Sequence, residues 1–186
     1  MVNDIDVSDD SKYLFDPCSE IEELRVSDMI GKYRASCIAN EITSKLNIPC
    51  DVNYTNKQAL IESYVKIPND ISMGIQIQGS QYRRCIIYKS ELKDTEKLNA
   101  EIVEKSNGFL CATREEFRKR MLQQFPDIFR TKKVTGEQNK PFCSYAANEG
   151  KTFWYQYVTI KPEATIAQVV ECMKADYSML KKLETQ

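Results

Sequence analysis

The stretch Met73-Gly74-Ile75-Gln76-Ile77-Gln78-Gly79-Ser80-Gln81-Tyr82-Arg83-Arg84-Cys85-Ile86-Ile87-Tyr88 decides the fold class. Met73, Ile75 and Ile77 alternate with small or polar residues, the period of a strand with one apolar face. Gly79-Ser80 is a turn, and Tyr82 to Tyr88 returns as the second strand of a hairpin. The Cys85-Ile86-Ile87 run in that second strand points to burial on both faces.

Upstream, Met29, Ile30, Tyr33, Cys37, Ile38, Ile42 and Leu46 recur at three- and four-residue steps, which predicts a helix from Ser27 to Leu46. Asn47 and Pro49 end it, and a short strand follows around Ile48 to Tyr54. Thr55-Asn56-Lys57-Gln58 matches a capping box and predicts a helix that buries Leu60, Ile61 and Tyr64 before Pro68. Downstream, Thr95 caps a helix carrying Leu98, Ile102 and Val103, with Asn107-Gly108 as its stop. Phe109 to Ala112 reads as an interior strand. The box Thr113-Arg114-Glu115-Glu116 opens a helix that runs to Phe125. A polar loop covers Arg130 to Lys140. A second hairpin joins Phe142–Ala146 to Thr152–Ile160, and Thr165-Ile166-Ala167-Gln168 opens a last helix to Leu183.

Two hairpins mixed with short single strands predict an α+β fold, with a mixed or antiparallel sheet packed by about five helices. Residues 1–18 read as a flexible acidic lead and 19–186 as one domain. A sub-boundary near 135 would leave about 50 residues, marginal alone, so one domain is the better division.

Composition excludes several kinds of chemistry. There is no histidine among the 186 residues, which removes Ser-His-Asp triads, Cys-His pairs and histidine-ligated metals. The glycines are isolated and form no phosphate-binding loop. The seven cysteines (Cys18, Cys37, Cys50, Cys85, Cys111, Cys143 and Cys172) contain no close pair. They read as reduced, mostly buried residues of a reducing compartment. The N-terminus has no apolar core of a secretory signal, and no apolar run approaches the ~20 residues of a membrane span. The expectation is an intracellular protein, cytoplasmic or nuclear, with no membrane partner.

Charge is uneven. Asp4, Asp6, Asp9, Asp10, Asp16, Glu20, Glu22, Glu23 and Asp28 stand against only Lys12 and Arg25 in the first thirty residues. Bases gather later. Arg83, Arg84, Arg114 and Arg118 form a phosphate-binding face if they share one exposed surface. Lys132 and Lys133 lie in the polar loop. In the second hairpin, alternation groups Phe153, Tyr155 and Tyr157, which suits them to the core. Trp154 is left to face outward as an anchor for a partner or to pack under the last helix.

One spacing carries a resemblance. Asp70 precedes the first hairpin and Glu91-Leu92-Lys93 follows it, which resembles the Asp…Glu-x-Lys signature of restriction-endonuclease-like nucleases over residues 27–112 in element order. The resemblance implies Mg²⁺ held by Asp70 and Glu91, with Lys93 activating water. The pattern departs from that family in placing Asp70 in a Pro-Asn-Asp turn rather than in a strand.

The expectation drawn from these residues is a non-catalytic intracellular protein that binds a macromolecular partner, a protein above all, and needs no cofactor. Its contact surfaces would be the loop Arg130–Lys140 and the hairpin around Trp154. A nucleic-acid-binding module and a Mg²⁺-dependent nuclease are the alternatives.

Overall fold

The computed structural model describes residues 25, 39–40, 42–44, 46–55, 58–68, 71–88, 95–131, 143–147 and 151–184. Its centre is a seven-stranded sheet in which every pairing is antiparallel. The strands are β1 (Asp51–Thr55), β2 (Gln58–Ile67), β3 (Ile71–Gln78), β4 (Gln81–Tyr88), β5 (Phe129–Arg130), β6 (Cys143–Ala147) and β7 (Lys151–Ile160). They run β1-β2-β3-β4-β7 in space, and both β5 and β6 pair with β7. Three helices are α1 (Thr95–Lys105), α2 (Arg114–Gln124) and α3 (Ile166–Glu184). Further helical residues lie within 39–46. The α+β class and the antiparallel sheet therefore stand, with strands from both sides of residue 135 in one sheet.

The decisive hairpin forms β3 and β4, with Gln78 paired to Gln81 and Gly79 at φ 56° in the turn. A positive φ is the conformation glycine adopts without steric cost. Asn47, at φ 53°, closes the helical stretch before β1. The box at Thr165 forms in full. Gln168 N donates to Thr165 Oγ1 (3.3 Å), and Thr165 N donates to Gln168 Oε1 (2.9 Å). At α2, Glu116 N donates to Thr113 Oγ1 (3.1 Å), while Glu116 Oε2 accepts from Ala112 N (3.0 Å). Thr113→Ala should therefore cost about 1 kcal/mol in urea unfolding, and Thr113→Asp should restore most of it. Equal stability of the alanine variant would show that the cap is idle.

Two expected elements are corrected. The box at Thr55–Gln58 opens no helix, because Thr55 pairs with Gln58 across a hairpin and β2 follows. In β2, Ile61, Ser63 and Val65 are buried on one face while Glu62 and Tyr64 lie on the other. That period of two overrides a capping signal only four residues long. Phe109–Ala112 is not a strand. Its apolar residues are buried, but three of its backbone groups are satisfied by side chains rather than by a neighbouring strand. Phe109 O accepts from Arg84, Cys111 O accepts from Gln156, and Leu110 N donates to Ser106 Oγ.

The main core lies on one face of the sheet. Ile61, Val65, Met73, Ile75, Ile77, Tyr82, Ile86, Trp154, Val158 and Ile160 pack there with Phe117 and Met121 of α2 and with Val169, Met173 and Leu180 of α3. α3 crosses β2 and β3, and α2 lies against β7. Among the described residues, no helix is long and apolar enough to cross a membrane.

Candidate interaction surface

Adjacent residues of a strand point to opposite faces, so Arg83 and Arg84 part company. Arg84 enters the core, only 4% exposed. Its Nη2 lies 2.7 Å from Asp176 Oδ1 and its Nε 3.0 Å from Oδ2, while Nη1 donates to Phe109 O (2.7 Å). The guanidinium lies over the rings of Phe109 (4.5 Å) and Phe117 (5.1 Å). Tyr82 Oη donates to Asp176 Oδ2 (2.9 Å). Burial opposes the charge on Arg84, and Asp176 outweighs it, so the pKa moves up. This is a satisfied interior ion pair joining β4 to α3.

The four arginines thus do not form one exposed face, which corrects that expectation. Arg84 and Arg114 are buried. Of the two placements open to Trp154, the inward one holds: it is 6% exposed and part of the main core, so it is not an outward anchor for a partner. Phe153, Tyr155 and Tyr157 hold the opposite face, outside the main core; Phe153 is buried there, whereas Tyr155 and Tyr157 are only half-buried, against the expectation that they fill the core. Lys132, Lys133, Asp70, Glu91 and Lys93 lie outside the described residues. Among the described residues, no group of three or more Cys, Asp or Glu is placed to hold a metal ion.

The face opposite α2 and α3 carries a different arrangement. Cross-strand register sets Asp51, Glu62, Gln76, Arg83 and Tyr157 in one row across five strands. Glu62 Oε2 accepts from Gln76 Nε2 (3.0 Å) and Tyr64 Oη (3.2 Å), and Oε1 accepts from Asn53 Nδ2. Burial raises the Glu62 pKa against these hydrogen bonds. Arg83 donates through Nε and Nη2 to Gln81 Oε1 (2.9 and 2.7 Å), and Nη1 is 3.5 Å from Gln76 Oε1. Its guanidinium carbon lies 4.6 Å from the centroid of the Tyr155 ring. The rings of Phe153, Tyr155 and Tyr157 succeed one another at 5.6 and 5.9 Å.

At the outer edge of β7, β6 pairs as far as Tyr155 and β5 begins at Thr159. Arg118 of α2 fills the gap between them. Its Nε donates to Tyr157 O (3.4 Å), and its guanidinium lies over the Tyr157 ring at 4.9 Å. Arg118 is 7% exposed, and its Nη2 meets no acceptor. Among the described residues, neither Arg83 nor Arg118 forms an ion pair. Lys119 and Arg120 of α2 are instead paired within the helix: Lys119 faces Glu115 (3.9 Å) and Arg120 faces Glu116 (3.0 Å).

Neither tyrosine was singled out as a contact residue from sequence. Val158 and Ile160 share the parity of Trp154 and Gln156, whereas Thr159 shares that of Tyr155 and Tyr157. Following the parity to the end of β7 is the signal that identifies the core face.

Among the described residues, burial leaves the thiols of Cys50, Cys85, Cys111 and Cys172 poorly reactive. Cys85, Cys111 and Cys172 are buried and free. Burial pushes Cys50 up to about 11 and Cys172 up to about 12, with Cys85 raised well above its usual value. Native protein near neutral pH should alkylate at these positions at least about tenfold more slowly than a free thiol, and urea should release them. Fast labelling of Cys50 in the native state would contradict the placement. An open hollow of about 550 Å³ beside Cys172 is lined by Phe125, Pro126, Ile128, Ala167 and Glu171 among others, and α2 and α3 contribute no arginine or lysine to it. Comparison with protein-family models, curated proteins and solved structures finds no match to this chain.

Proposed function

We propose that this chain is a non-catalytic intracellular protein that binds a macromolecular partner, a protein, through the sheet face carrying Arg83, Tyr155, Tyr157 and Arg118. The observation that supports this is the pair of guanidiniums that form no ion pair among the described residues, each set over one of two adjacent tyrosines. Half-buried tyrosines and arginines are the residue types that dominate the energetics of interfaces, because they bring large contact area and fixed donors at small entropic cost. Catalysis draws no support from this face. Glu62 is engaged by three side-chain donors.

The test is affinity capture with the full chain followed by mass spectrometry, comparing wild type with Tyr155→Ala/Tyr157→Ala. The same partner should be recovered by wild type and lost from the double variant. Equal recovery by both would remove this face as the contact surface. A nucleic-acid partner is the second reading, favoured by the same guanidinium–tyrosine pairs, since bases stack on rings and on guanidinium planes. It requires binding of labelled oligonucleotide that weakens steeply with salt. Mg²⁺ enters only with the nuclease alternative on Asp70, Glu91 and Lys93.

A further inference from the structure

Resting on that reading of the face, we infer that the partner segment it takes is a short acidic peptide, whose carboxylates sit against Arg83 and Arg118 beside the Tyr155–Tyr157 pair. Three observations lead there. First, Arg118 is more than nine-tenths buried, yet its Nη2 has no acceptor, and a buried donor of this kind calls for one. Second, among the described residues Arg83 has only the neutral amide oxygens of Gln81 and Gln76 as hydrogen-bond partners, and no carboxylate among those residues compensates its charge. Third, the positive stretch is narrow. Moving from Arg83 toward β1, the same row meets Gln76, then Glu62, then Asp51.

That narrowness decides between polyanions. A nucleic-acid strand laid along the row would carry phosphates past Arg83 onto two carboxylates, and like charges there oppose it. An acidic peptide needs only one or two carboxylates at the Arg83–Arg118 end. A donor of its own can then fall over Glu62, whose Oε2 already accepts from Gln76 and Tyr64. Recognition of acidic motifs by arginines is a recurring mode, since the guanidinium presents several fixed donors to an oxyanion. The tyrosine rings beside the arginines shield the contact from water, which strengthens it.

The experiment is a ¹H–¹⁵N chemical-shift titration of the full-length protein with acetylated hexaglutamate, run beside hexalysine and oligothymidylate. Hexaglutamate should move the signals of Arg83, Tyr155, Tyr157 and the Arg118 side chain. Its affinity should fall roughly tenfold in Arg83→Met and be largely lost at about 300 mM salt. Arg83→Lys, which keeps the charge, should retain part of the binding and controls for the fold. Shifts confined to other surfaces, equal binding of hexalysine, or unchanged affinity in Arg83→Met would each overturn the inference. Arg83-dependent binding of oligothymidylate but not of hexaglutamate would overturn it in favour of nucleic acid. If hexaglutamate fails while Tyr155→Ala/Tyr157→Ala still loses the captured protein, the acidic-peptide inference falls and the contact surface stands.

Discussion

Arg84→Met should lower the stability of the native protein by about 3–5 kcal/mol, the range found when one member of a buried ion pair is removed. The loss is large because of what remains. Asp176 is 4% exposed, and without Arg84 the one side-chain donor left to it among the described residues is the Tyr82 hydroxyl at 2.9 Å. Phe109 O loses its donor as well, and with it the tie that holds the irregular 109–112 segment to β4. Arg84→Met/Asp176→Leu should recover most of the stability, since an apolar pair of similar volume leaves no buried charge. Urea unfolding of the two single variants and the double variant closes the cycle, and a coupling energy above about 2 kcal/mol is expected for residues in direct contact. A single-variant loss below about 1 kcal/mol would mean that the pair is not formed in the buried geometry seen here.

Gly74→Ala is the second large effect. Gly74 pairs across the strands with Tyr64, whose ring lies over the glycine. A Cβ at Gly74 would collide with Tyr64 Cδ1, and would come within 2.5 Å of Tyr64 Cε1 and 2.6 Å of the Ser63 carbonyl oxygen. The Tyr64 ring cannot move freely, because its hydroxyl is hydrogen-bonded to Glu62 and Gln76, and the carbonyl is backbone. A destabilisation of about 2–3 kcal/mol is expected, the upper part of the usual range for overpacking. Tyr64→Ala should reduce the penalty of Gly74→Ala without abolishing it, because the carbonyl contact persists. A change within about 0.5 kcal/mol for Gly74→Ala would contradict the close approach.

How much of this was legible in the residues depended on whether two signals agreed. The β3–β4 hairpin was legible because period, turn residues and β-branched content all pointed one way. The caps at Thr113 and Thr165 were legible for the same reason: a capping box led into an apolar stripe of helical period. At Thr55–Gln58 the box led into Ile61-Glu62-Ser63-Tyr64-Val65, where the period is two, and the longer pattern prevailed. Phe109–Ala112 shows a different limit. Four apolar residues indicate burial but do not indicate what bonds their backbone, and here the partners are Arg84, Gln156 and Ser106, remote in sequence or at a turn.

The arginines mark the largest gap. Arg83 and Arg84 are the same residue type one position apart, and only the side of β4 that faces α3 separates an interior ion pair from a surface cation. Asp176, the partner that decides it, lies 92 positions along the chain. The candidate surface was hidden for a similar reason. Tyr155 and Tyr157 alternate with Trp154 and Gln156, and aromatic residues on both faces of β7 leave local patterning undecided until the helices are placed.

Hydroxyl-radical footprinting of the full-length protein, alone and with its captured partner, tests the contact surface most directly. Oxidation of Tyr155 and Tyr157 should fall on partner binding, while Tyr177 on α3 should be unchanged. Protection of Tyr177 and the outer residues of α3, with Tyr155 and Tyr157 unaffected, would place the partner on the helical side and contradict the proposal.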